Sequence, residues 1–322
     1  MQSFIKFIRI LATAFIILAS CQAFEAQTEG DANRRKEIKE GLELIFQGSY
    51  TEAASRFEKL SRDYPLSPAG DFYNAVALTW KSYVDAAKLD QGSRDNDAAI
   101  EAFLASAIKK AERERARAAR SKAEDTEALY YLGSAQAIRS RLSLYQNHAI
   151  PAARAARAAQ NYFDELIKID PDYSDAYFAS GSIYYQVGIL TDTSIGKVAI
   201  AMLGPKSLPA GDRERGLQYL KLAAERAELA RVDAQLSLIE IYTFKENNFD
   251  LAEPIARRLY EKYPDNQTFA RYLLRIYQGQ KNRTKLIEVC RQVLARAKAN
   301  RPNFGPIMKA EAERFMAAAR RL

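Results

Sequence analysis

Few side chains in this 322-residue sequence have the type and spacing that catalysis requires. His148 is the single histidine, in a turn between two predicted helices, where a lone imidazole is more often a helix-end or solvent residue than a catalyst. Asp212, Glu214 and Glu225 lie among arginines, and charges at helical spacing usually form surface pairs. The sequence has no metal-ligand spacing, no glycine-rich phosphate loop and no nucleophile elbow. We therefore predict no enzymatic activity, with a hydrolase as the residual alternative, no metal and no cofactor.

Cys21 is the residue whose position is most informative about chemistry, because it follows a short apolar stretch near the N-terminus. Lys6 and Arg9 precede the apolar stretch Ile10–Ala19. Ten helical residues rise about 15 Å, roughly half the core of a bilayer, so the stretch favours a secretory signal over a spanning helix. The stretch leads into Leu18-Ala19-Ser20-Cys21. This resembles the bacterial lipobox, which implies a lipoprotein-type signal peptide over 1–20, lipidation of Cys21 and a tether over 21–33.

Two alternatives to lipidation stay open. The signal peptide could be an ordinary one cleaved after Ala23 or Ala26, with secretion to the periplasm, or it could be an uncleaved anchor. The resemblance to lipoproteins has a further implication. Gln22 follows the cysteine, and an aspartate there is what favours retention in the inner membrane, so we expect an outer-membrane lipoprotein that faces the periplasm.

Composition and charge favour a helical protein without nucleic-acid partners. The sequence is 48% hydrophobic and 27% charged, with only 14 glycines and 10 prolines. Its net charge of +8 falls to +6 if residues 1–20 are removed, because they contain Lys6 and Arg9 and no acid. A moderately basic protein is attracted to an anionic membrane or an acidic partner. Basic and aromatic residues do not alternate as they do in nucleic-acid-binding segments.

Small, aromatic and proline residues recur at fixed offsets over 34–322. Four sets of residues show the offsets: Gly41, Gly48, Ala53, Phe57, Leu60 and Pro65; Ala159, Phe163, Leu166 and Pro171; Ala252, Ala256, Leu259 and Pro264; and Gly181 and Gly188. In the third set, Ala256 stands where the aromatic residue is expected. The sequence therefore resembles the tetratricopeptide-repeat (TPR) family, in which small residues let paired helices approach and large ones fill the neighbouring groove. The resemblance implies an all-α, right-handed superhelix of antiparallel helix pairs.

The repeat pattern breaks at 189–211, an apolar segment that contains Gly196, Gly204, Pro205 and Pro209. We interpret it as a non-repeat insert, with a short helix about 194–203. Core packing, a binding role and membrane contact are its alternatives, because apolar surface on a soluble fold has to be covered. A final helix over 306–321 is expected to cap the last apolar face, as solenoids require.

Eighteen tyrosines are the main excess in the composition, and many lie on the first helices of the predicted pairs. In the TPR family those helices line the concave groove, where tyrosine offers large contact area and a hydroxyl group at low entropic cost. Packing in the core is the alternative explanation for about half of them. Arg141 lies on one of these helices too. The predicted partner-binding residues are Tyr130, Tyr131, Tyr177, Tyr184, Tyr185, Arg139, Tyr242 and Tyr277.

Together these patterns predict a membrane-anchored periplasmic scaffold whose concave groove binds a protein or peptide. The run GDRERGLQYLKLAAERAELARVDAQLSLIEIY adds a resemblance to bacterial TPR lipoproteins and, more remotely, to the TPR 39 family, over most of 36–295. Two alternative functions stay open. One is a small-molecule or lipid-binding component of an envelope transport system, and the other is an outer-membrane assembly lipoprotein.

Overall fold

The computed structural model describes residues 30–85, 94–120, 125–193 and 208–321. These segments contain helices and connections but no strand, which confirms the all-α prediction. They form thirteen α-helices: α1 (30–47), α2 (Tyr50–Asp63), α3 (Ala69–Asp85), α4 (Asp97–Arg120), α5 (Thr126–Tyr145), α6 (Ala149–Ile169), α7 (Ala176–Asp192), α8 (Arg213–Arg226), α9 (Arg231–Glu240), α10 (Phe249–Lys262), α11 (Gln267–Gly279), α12 (Arg283–Lys298) and α13 (Pro306–Ala319). A π-helical segment, Ile241–Lys245, extends α9.

Short polar side chains begin several of these helices. The side chains of Asp125, Asp212, Asn248 and Asn282 each accept a hydrogen bond from a backbone N–H in the first turn of the helix that follows. Such caps satisfy donors that have no partner inside the helix. The turns of the repeat are therefore encoded locally, by residues that stop one helix and start the next.

Successive helices pack in two layers. From α2 to α13, each helix contacts the next one along the chain, and the short connections make these neighbours antiparallel. The odd-numbered helices also contact one another, α3 with α5, α5 with α7, and α7 with α9. They form the inner layer, and the even-numbered helices lie outside them. This arrangement of first helices inside and second helices outside is that of a TPR-like helical repeat, as the sequence predicts.

The two ends of the array meet, because α3 also contacts α11. Trp80 of α3 packs edge-on against Phe269 of α11, with ring centroids 6.2 Å apart. The side-chain amide of Asn266 donates to the carbonyl of Phe46 at 3.0 Å, and the hydroxyl of Tyr263 donates to Glu43 at 3.0 Å. The inner helices therefore surround a central space.

The described end of the predicted insert packs on the repeats. Helix α7 continues through 189–192, so the first residues of the insert are helical, and the predicted short helix about 194–203 lies outside the described residues. Leu208 is buried, and its carbonyl accepts from Arg157 at 2.7 Å. Gln160 exchanges two hydrogen bonds with the backbone of Ala210, at 2.7 and 2.9 Å.

None of the helices that the structure describes is long and apolar enough to span a membrane.

Candidate partner-binding groove

The inner layer of helices encloses a space of about 150 Å³, which we call the central chamber. Helices α3, α5 and α9 contribute most of its lining, with additions from α1, α4, α7 and the residues before α9. The concave face of the odd-numbered helices, of which the chamber is the deepest part, we call the groove. The half-buried or exposed side chains that line it from these three helices are Val76, Thr79, Ala137, Ile138, Arg141, Leu142, Tyr145, Asp233, Leu236, Ser237 and Glu240.

Aromatic rings form one wall of the chamber. Phe72 packs edge-on against Tyr73, with centroids 5.0 Å apart, and against Tyr130, with centroids 6.3 Å apart. Burial raises the pKa values of the Tyr73 and Tyr130 hydroxyls well above their ordinary value. Both side chains therefore stay neutral and present apolar rings together with uncharged hydroxyl groups.

Asp233 is a half-buried carboxylate that lines the chamber beside the ring of Trp80. The indole Nε1–H of Trp80 donates to its Oδ1 atom at 3.0 Å. Removal from water raises the pKa of Asp233 to about 6, while this hydrogen bond and the nearby Arg141 act in the opposite direction. The carboxyl group is therefore mostly ionised at neutral pH, although it faces a largely apolar space.

Three further charged groups line the chamber at the same side as the end of α5. Glu240 accepts a hydrogen bond from the hydroxyl of Tyr272 at 2.7 Å, and Asp97 accepts one from Gln146 at 3.0 Å. Arg141 donates to the hydroxyl of Tyr145 at 3.0 Å. Burial acts to lower the pKa of Arg141, but Tyr145 and Glu240 beside it leave the pKa raised, so the guanidinium stays charged. Although many protein atoms surround Arg141, its side chain keeps access to solvent through the open space of the chamber.

The eight predicted partner-binding residues lie mostly in the walls behind the groove. Each of the seven tyrosines is less than a tenth exposed, and Tyr130 is the one among them that lines the chamber. Arg139 is half-buried and forms an ion pair with Glu101. Four of the tyrosine hydroxyls donate within the chain: Tyr177 to the carbonyl of Pro171, Tyr184 to Asp164, Tyr185 to Glu246 and Tyr277 to Glu253. Their role in partner binding stays a prediction.

Asp233 and Glu240 are groove residues that the sequence analysis missed. They lie seven residues apart, which is close to two helical turns, and with Leu236 and Ser237 they form one stripe of α9. That spacing is the signal that could have found them. It does not reveal that this stripe, rather than another face of α9, looks into the chamber.

The remaining candidates have ordinary surroundings or lie outside the described residues. Cys21, the predicted lipidation site, lies outside the described residues, as does the signal peptide 1–20. Cys290 is fully buried, and burial raises the pKa of its thiol to about 11, so it is unreactive. Across the described parts of the chain, no group of three His, Cys, Asp or Glu residues could hold a metal ion.

Comparison with known proteins adds little to this geometry. No protein-family model matches the sequence, and no curated protein matches it. Among solved structures, one match is the crystal structure of the TPR domain of P58(IPK), which is 14% identical and has a TM-score of 0.25. The match covers 90% of this chain and 100% of that one. The assignment to the class of TPR-like helical-repeat proteins rests on the layered packing of the helices themselves, which defines an architecture typical of interaction scaffolds.

Proposed function

We propose that this chain is a non-enzymatic, membrane-anchored scaffold that binds a segment of a partner protein in its groove. The observation that carries the proposal is the layered packing, which points the first helices of successive pairs at one shared concave face. In helical-repeat proteins that face is the extended surface used for binding.

The side chains of the groove suit a peptide or a partner's helix. Val76, Ile138, Leu142 and Leu236 are half-buried apolar residues on three different inner helices. An incoming segment would cover their remaining apolar surface, which contributes about 25 cal/mol for each Å² removed from water. Tyr145 and Arg141 add hydroxyl and guanidinium donors at the edge of this surface.

Site-specific photo-cross-linking in membranes tests the groove as the binding surface. A photoreactive amino acid is placed at Leu142 in the groove and, as a matched control, at Arg154, which is exposed on the outer helix α6. We expect the same protein adduct repeatedly from position 142 and not from position 154. Adducts from position 154 alone, or none from either position, would contradict binding in the groove.

The anchor in this proposal is a lipid on Cys21, at the outer membrane and facing the periplasm. Support comes from the sequence Leu18-Ala19-Ser20-Cys21 directly after a short apolar stretch, and from the basic charge of the rest of the chain, which favours an anionic surface. Two or more acyl chains hold a protein on a membrane stably, whereas one does not.

Intact-mass measurement tests the anchor. We expect the protein from native membranes to begin at Cys21 with acyl chains attached, and a Cys21→Ala variant to lose both the modification and membrane association. An unmodified chain that begins after Ala23 or Ala26 would show secretion instead. The cross-linking result is independent of this outcome, because a secreted scaffold would still bind in its groove.

A further inference from the structure

The central chamber has the size of a binding site for a small molecule. Its volume of about 150 Å³ is similar to that of an engineered apolar cavity which binds benzene, so about six to eight non-hydrogen atoms fit. Most of its surface comes from aromatic and aliphatic side chains, and it opens to solvent beside Arg141. Pockets for small ligands share this combination of apolar walls and a few directed polar groups.

The charged groups of the chamber favour a cation. Three carboxylates line it, those of Asp97, Asp233 and Glu240, against one guanidinium, that of Arg141. The excess is negative in a protein whose overall charge is positive, so the chamber differs in sign from the average of the molecule. A positively charged ligand would offset the cost of keeping these carboxylates away from water.

The aromatic wall favours the same kind of ligand. The faces of Trp, Tyr and Phe rings attract cations, and Trp80, Tyr73 and Tyr130 all line the chamber, with Tyr73 and Tyr130 both packed against Phe72. Asp233 already accepts from Trp80, and a carboxylate has further lone pairs that an ammonium group can use. A ligand with an apolar part and an ammonium group therefore matches both the aromatic wall and the carboxylate of Asp233.

We propose that the central chamber binds a small organic cation, a protonated amine on a compact apolar body, with Asp233 and Glu240 as the groups that recognise the charge. This goes beyond the scaffold function and does not depend on it. A free carboxylate of the same size is disfavoured, because it would meet three like charges against the single guanidinium of Arg141.

Trp80 provides a direct measurement, since it is the single tryptophan of the chain and lines the chamber. Three probes of similar shape are titrated against the full chain at constant ionic strength: cyclohexylammonium, the neutral cyclohexanol and the anionic cyclohexanecarboxylate. We expect a saturable change in Trp80 emission with cyclohexylammonium at about tenfold lower concentration than with cyclohexanol, and none with the carboxylate.

Asp233→Asn tests the recognition. Asparagine keeps an oxygen that accepts from Trp80, so the chamber is retained while its charge is lost. We expect the variant to lose most of the preference for cyclohexylammonium over cyclohexanol, with only the part that Glu240 contributes remaining. Asp172→Asn is the matched control, since Asp172 is exposed and does not line the chamber, and it should bind as the unchanged protein does. If Asp233→Asn fails to fold, Glu240→Gln is measured, and it should weaken cyclohexylammonium alone.

Three results would overturn the proposal. The first is equal affinity for cyclohexylammonium and cyclohexanol, which would make the chamber merely apolar. The second is tight binding of cyclohexanecarboxylate, which would assign the recognition to Arg141. The third is the absence of any saturable signal with all three probes, both in fluorescence and in calorimetry. None of these results bears on cross-linking of a protein partner at position 142.

Discussion

Individual glycines set how closely the paired helices approach. A Cβ atom at Gly41 would lie 2.4 Å from the ring of Phe57, and one at Gly133 would lie 2.8 Å from the ring of Phe163. Two repeats thus use the same pairing of a glycine on the first helix with a phenylalanine on the second. At Gly216 the obstacle is the backbone itself, because a Cβ atom there would lie 2.4 Å from the amide nitrogen of Tyr185. An aromatic ring can move aside, whereas a helix backbone cannot.

Gly216→Ala is therefore expected to destabilise the protein by at least about 2 kcal/mol, because α7 and α8 must separate to admit the methyl group. Urea denaturation measures the change in the free energy of unfolding. Gly30→Ala is the control, since nothing lies within 4 Å of its Cβ position, and it should change the free energy by less than about 0.5 kcal/mol. Similar stabilities for the two variants would contradict the close contact between the two backbones.

At the scale of the element, a buried ion pair attaches the last helix. Arg271 of α11 is 1% exposed and Glu311 of α13 is 6% exposed, and the Nε atom of Arg271 donates to Glu311 at 2.8 Å. The sequence predicts a capping helix over 306–321, and α13 spans Pro306–Ala319. The sequence does not predict that an ion pair, in addition to apolar packing, holds helix α13 in place.

Arg271→Met is expected to cost about 3–5 kcal/mol of stability, because it leaves the Glu311 carboxylate without its buried partner. Glu311→Met should have a similar cost, and the double variant should cost clearly less than the sum of the two. Thermal and urea unfolding of the unchanged protein, the two single variants and the double variant complete a double-mutant cycle. Additive costs would show that the two charges do not depend on each other.

At the scale of the whole molecule, the contact between the two ends of the array distinguishes this protein from an open solenoid. In an open array each repeat contacts only its neighbours. Here Asn266, at the start of α11, reaches the backbone of Phe46 in α1, and Trp80 in α3 reaches Asp233 in α9. We expect such closure to couple the first and last repeats in unfolding.

Asn266→Ala tests this coupling against a matched variant, Asn282→Ala. Both asparagines cap a helix, but Asn266 also donates to Phe46 across the closure. Loss of the cap lowers the free energy of unfolding by about 1 kcal/mol in either variant. In Asn266→Ala the buried carbonyl of Phe46 also loses its donor, which lowers it by about 1–3 kcal/mol more. Hydrogen exchange should quicken in α1–α3 for Asn266→Ala and only near α12 for Asn282→Ala. If exchange quickened only near the substituted residue in both variants, the result would contradict coupling between the first and last repeats.

Much of the fold could be predicted from the sequence because its signals are local. Apolar residues at helical spacing predict helices, and Pro65, Pro171 and Pro264 follow their ends. Gly41 and Phe57 predict close pairing, which the structure confirms. These signals act between residues in one helix or in two consecutive ones, so they do not depend on the path of the rest of the chain.

The tertiary structure alone decided which side chains face the central space. The predicted tyrosines are mostly in the walls, while Asp233 and Glu240 look into the chamber. Trp80 and Asp233 are 153 residues apart, and Asn266 and Phe46 are 220 apart. Such pairs depend on small rotations that accumulate from repeat to repeat. The sequence determined the helix pairs, and the sum of their rotations determined that the array closes around a charged, aromatic chamber.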